Sequence, residues 1–94
     1  MSRWIVLAIP VDGVSEVKRD AQIVTELDGS TEEAETALLA AARAYEHNVG
    51  KVRRREIYQC SNRSYFIRIH GRMATYGLML QLAELIDDSA QPIT

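Results

Sequence analysis

Between residues 51 and 72 the sequence KVRRREIYQCSNRSYFIRIHGR carries seven cationic side chains, Lys51, Arg53, Arg54, Arg55, Arg63, Arg68 and Arg72, against Glu56 alone. Guanidinium groups hold carboxylates and phosphates through two parallel N–H donors in a fixed fork, so the chemistry this cluster suggests is recognition of an acidic group. The runs 51–60 and 64–70, joined by Ser61-Asn62-Arg63, read as a hairpin. With Cys60 opposite Tyr65, one face of that hairpin carries Arg53, Arg55, Ile57 and Gln59 with Phe66, Arg68, His70 and Arg72. The other carries Val52, Arg54, Glu56, Tyr58 and Cys60 with Tyr65, Ile67 and Ile69. The first face, Arg53, Arg55, Arg68 and Arg72 around Phe66, suits an acidic protein partner. Phe66 among arginines also suits a base stacked on a sheet, which makes RNA or single-stranded DNA the alternative. A formal net charge of −2 for the whole chain weighs against nucleic acid, whose dedicated domains are basic throughout. The faces depend on register, because a one-residue slip carries every side chain of a strand to the other side.

Other reactive side chains are sparse. Cys60, His47 and His70 supply one thiol and two imidazoles, too few for a closed zinc site, and no metal or cofactor is expected. A small enzyme with Tyr58, Cys60 or His70 near a pocket between subunits is the third reading, behind the two binding readings. No paired carboxylates sit in an apolar neighbourhood, and no phosphate loop, nucleophile elbow or zinc helix is present. The chain is therefore expected to be non-enzymatic. A single cysteine excludes an internal disulfide framework and makes a reducing cytoplasm the expected location.

The elements that must position these groups fit within 94 residues, of which 47% are hydrophobic and 26% charged. That composition is ordinary for one globular unit, placed at 1–88 with a flexible tail at 89–94, and no apolar run is long enough to span a bilayer. Residues 3–9, RWIVLAI, are apolar on both alternating faces and read as a covered central strand closed by Pro10. Ala21–Leu27 alternates, with Ala21, Ile23, Thr25 and Leu27 expected inward. Residues 30–48 read as a helix opened by the capping box Ser30/Glu33. Its buried stripe is expected along Ala34, Ala37, Ala41 and Ala44, flanked by Leu38 and Tyr45, with Leu39 outside and Asn48 and Gly50 as the stop. Residues 73–87 read as a second helix, with Leu78, Met79, Leu82, Ala83, Leu85 and Ile86 on one arc that Tyr76 and Leu80 widen to half the circumference.

The expected architecture is α+β, a two-layer antiparallel sheet with two helices on one face in the order β-β-α-β-β-α. A ferredoxin-like β-α-β-β-α-β arrangement is the alternative. Two helices leave one sheet face without a cover, which argues for a two-fold homodimer through Trp4, Tyr76, Gly77 and Leu80. Gly77 within the second helix would mark a close backbone approach.

Overall fold

The computed structural model describes residues 2–12, 21–45, 52–72 and 74–89. Its elements run β1 (Ser2–Asp12), β2 (Gln22–Gly29), α1 (Thr31–Ala44), β3 (Arg54–Ser61), β4 (Ser64–His70) and β5 (Thr75–Glu84). The five strands make one sheet in the order β2-β1-β5-β4-β3, every neighbouring pair antiparallel. The chain is thus a small α/β unit with one helix in the order β-β-α-β-β-β, and the expectation of two helices is overturned.

The segment expected as a second helix is the central strand. Tyr76, Leu78, Leu80 and Leu82 recur every second residue, and as a strand they fall on one face, with the three leucines buried there. Leu, Met, Gln and Ala favour helix by only a few tenths of a kcal/mol per residue. Placed between β1 and β4, this segment gains ladder hydrogen bonds on both sides, which a lone helix could not give those two strands. Non-local pairing outweighs the local preference.

Where a helix was expected, α1 forms as its capping box dictates. Ser30 Oγ accepts from the Glu33 amide at 3.1 Å, and the Glu33 carboxylate accepts from the Ser30 amide at 2.9 Å. That amide bond and the serine hydroxyl hold the Glu33 carboxyl below its ordinary 4.5. A Cβ on Gly29 would stand 2.9 Å from this carboxylate, so any larger residue before the cap would have to push the Glu33 carboxylate aside. The helix ends at Ala44 with Tyr45 as cap, before the expected Asn48 and Gly50, which lie outside the described residues. Its buried stripe is Ala34, Leu38 and Ala42, with Leu39, Ala41 and Tyr45 alongside, whereas Ala44 is exposed.

At ~1.5 Å per residue, fourteen residues reach about 21 Å, close to the ~24 Å width of five strands spaced at ~4.8 Å. One helix can therefore cross the whole sheet, and α1 leads from the β2 edge to the β3 edge while packing on one face. The core lies between them: Trp4, Val6 and Ala8 of β1, Leu78, Leu80 and Leu82 of β5, and Tyr65, Ile67 and Ile69 of β4. Trp4 Nε1 donates to the Gly29 carbonyl at 3.1 Å, and the Arg63 guanidinium lies 5.0 Å above its ring. This sets the β3–β4 turn over the start of β1. Of the four positions expected to face inward on β2, Thr25 and Leu27 do so. A bulge opposite Val6 and Leu7 turns Ile23 to the other face, where it is 56% exposed, and Ala21 is exposed just ahead of the strand.

No helix among the described residues is long and apolar enough to cross a membrane. The tail from residue 90 lies outside the described residues.

Candidate functional site

The helix covers one face of the sheet; no described element covers the other. Strand alternation and the paired registers put on this open face Arg3, Ile5, Leu7 and Ile9 from β1, and Ile23, Glu26 and Asp28 from β2. They add Thr75, Gly77, Met79, Gln81 and Ala83 from β5, Ser64, Phe66, Arg68 and His70 from β4, and Arg54, Glu56 and Tyr58 from β3. Ile5, Leu7, Ile9, Phe66, Met79 and Ala83 are half-buried and form an apolar band across the middle strands.

The hairpin register differs by one residue from the expected one. Gln59, not Cys60, stands opposite Tyr65, and Cys60 is the extra residue of a bulge before the turn, with its thiol exposed. The slip reverses the faces of β3. Arg55, Ile57 and Gln59 join Tyr65, Ile67 and Ile69 on the helix side, while Arg54, Glu56 and Tyr58 join Phe66, Arg68 and His70 on the open side.

The expected arginine face is therefore divided. Arg55 reaches under the helix end and donates to the Arg43 and Tyr45 carbonyls, both at 2.6 Å, satisfying acceptors that a helix leaves orphaned at its C-terminus. Arg53 precedes β3 and Arg72 follows β4, both exposed. Arg68 and Phe66 remain on the open face, joined by Arg54 and Tyr58. Of the residues expected at a dimer interface, Trp4 and Leu80 are buried under the helix and Tyr76 shares their face. Gly77 alone of the four sits on the open face.

On the open side of β3 and β4 the polar groups converge on Glu56. Its carboxylate accepts from Tyr58 Oη at 2.7 Å and pairs with His70 Nε2 at 2.7 Å, Arg68 Nη1 at 3.3 Å and Arg54 Nη2 at 3.6 Å. The His70 bond, then the Tyr58 bond and the two guanidiniums, hold the Glu56 carboxyl down at about 2 from an ordinary 4.5. The same bond pushes the Tyr58 phenol up, since it stabilises the protonated form. On the other side of the ring, His70 Nδ1 lies 3.3 Å from the Thr75 hydroxyl. The Arg68 guanidinium lies 5.9 Å above the Tyr58 ring and 5.7 Å above the Phe66 ring, and the ring centroids are 6.2 Å apart.

This geometry constrains what the face can do. A base stacking on Phe66 or Tyr58 must displace Arg68, which already stacks there and pairs with Glu56. Thr75, His70 and Glu56 have the outline of a hydroxyl–imidazole–carboxylate relay. Acyl transfer also needs backbone N–H donors aimed at an oxyanion, and β4 here is flanked on both sides by ladders that engage its amides. Among the described residues no cluster of His, Cys, Asp and Glu could hold a metal ion.

Sequence reasoning missed Glu56 as the centre of this cluster and Ile5, Leu7 and Ile9 as its apolar neighbours. The signal was the lone carboxylate within a run of seven cations. Compared with known protein families, characterised proteins and solved structures, the chain matches none.

Proposed function

We propose that the chain is a small non-enzymatic protein-binding module whose docking surface is the helix-free face of its sheet. One observation carries this reading: a band of Ile5, Leu7, Ile9, Phe66, Met79 and Ala83 crosses a sheet face on which no described element packs. Sheets with one uncovered face normally alternate apolar-in with polar-out, so apolar residues on both sides of β1 call for a second cover. The partner supplies apolar area to the band and an acidic group to the corner where Arg54 and Arg68 stand. Arg54, with 69% of its side chain exposed and 3.6 Å from Glu56, is the cation freest to exchange partners there.

Site-specific photo-crosslinkers test the surface in the intact cell. Placed at Phe66 or Leu7 they should yield protein adducts, whereas one at Ala40, on the outer side of α1, should not. Adducts from position 40 alone overturn the docking face. Adducts to nucleic acid from position 66 overturn the protein partner and return the alternative drawn from the hairpin.

A further inference from the structure

We infer that the occupant of the open face is a second copy of this chain, docked about a two-fold axis that sets the acidic corner of each sheet on the basic corner of the other. The inference rests on the docking-face reading and names its partner.

The charges on the face are not scattered. Glu26 and Asp28 of β2 lie beside Ile5 and Arg3, at the start of β1 and on one edge of the sheet. Among the described residues, two carboxylates against the Arg3 guanidinium leave that corner at −1. Arg54 and Arg68 lie with His70 and Thr75 at the opposite edge and the opposite strand end, level with the last residues of β1. Among the described side chains, two guanidiniums against Glu56 leave that corner at +1. The apolar band runs between them. The corners are diagonal, so a two-fold axis in the plane of the face and along the other diagonal maps each onto its opposite. Axes along or across the strands do not. One rotation thus buries apolar band on apolar band and makes two symmetric acid–base contacts at its ends, with the strands of the two sheets crossing.

Within each corner the groups differ in how firmly they are held. Asp28 pairs with Arg3 at 3.4 Å, while Glu26 is exposed and has no hydrogen-bond or ion-pair partner among the described residues. Arg54 is the loosest of the groups around Glu56. Glu26 of one copy and Arg54 of the other are therefore the pair formed across the interface.

The area is adequate. Five strands at ~4.8 Å by about seven residues at ~3.3 Å give roughly 550 Å² per copy, or ~1,100 Å² in total, in the range of weak, transient interfaces and just below that of stable ones. The dimer should accordingly dissociate in the micromolar range rather than below it.

Light scattering on the purified chain should give twice the 10.6 kDa protomer mass at about 100 μM and fall toward the protomer mass on dilution. Leu7→Lys should give a monomer with unchanged far-ultraviolet circular dichroism, because Leu7 faces away from the helix-side core. Glu26→Arg and Arg54→Glu should each weaken association about tenfold, since two exposed pairs per dimer are lost, and the double variant should regain it. A chain that stays monomeric overturns self-association, and the docking face survives that result if Phe66 and Leu7 still crosslink to another protein. A dimer insensitive to Leu7→Lys places the interface elsewhere. A double variant weaker than either single overturns the diagonal axis.

Discussion

Glu56 shows how one side chain sets the character of a surface. Its carboxylate faces His70, Tyr58, Arg54 and Arg68, and this environment holds its pKa near 2. The folded pKa lies below the ordinary value of 4.5, so the folded chain binds fewer protons than the unfolded chain between the two. The stability Glu56 contributes is therefore complete above about pH 4.5 and is lost as pH falls toward 2. Replacing Glu56 with Gln removes the charge and this contribution. Melting temperatures followed from neutral pH downward should show the natural chain above Glu56→Gln at neutral pH, with the gap closing through that acid window. A gap that stays constant would mean that ionised Glu56 is not what those four groups hold. Glu33, lowered by its capping-box bonds, gives both chains a shared acid sensitivity that the comparison cancels.

At the scale of elements, Arg55 ties β3 to α1. Its two 2.6 Å bonds hold the last turn of the helix against the sheet, while its buried Nε has no partner among the described residues. Arg55→Ala should destabilise the fold by about 2–3 kcal/mol, because it exposes two helix-end acceptors that a charged donor had satisfied. Arg55→Lys should recover only part of this, since an ammonium cannot bridge both carbonyls with the same fork. Denaturant titration of the three chains measures it, and equal stability would mean that water caps the helix as well. Arg55 also marks the limit of legibility in the sequence. The helix could be read because its start is local: Ser30 and Glu33 lie three residues apart and bond each other. The first strand and the hairpin were readable from composition and turn residues. The faces of β3 were not, because the bulge at Cys60 shifts the register by one and nothing in SNRS announces it. β5 was misread for a related reason. Tyr76, Leu78, Leu80 and Leu82 alternate, but the surrounding leucines, methionine and alanines also fill a helical arc, and only pairing with β1 and β4 decides between the two periods. The arginine face failed with the register, and the open face became visible only once the second helix proved to be a strand.

At the scale of the molecule, the first and last strands lie side by side. Trp4 pairs with Glu84 and Asp12 with Gly77, so the β1–β5 ladder joins residues 65 to 80 positions apart. It also joins the β1–β2 pair, with α1 anchored beyond it, to the β3–β4–β5 meander. Neither half closes the core alone: Val6 and Ala8 come from one, Leu78, Leu80, Leu82 and Ile67 from the other, and all are buried under α1. Breaking this ladder must unfold the whole chain, whereas β2 and β3 are edge strands that can open by themselves. Native-state hydrogen exchange should sort the amides accordingly. Those of Leu7, Met79 and Gln81, which point across the β1–β5 ladder, should exchange last, with a denaturant dependence equal to that of global unfolding, and those of the edge strands should exchange earlier with a smaller dependence. If amides of the β3–β4 hairpin outlast those of β5, the hairpin is the stable nucleus and the terminal strands merely dock on it. The local turn would then dominate, despite the long-range pairing that lowers folding rates in sheets of this kind.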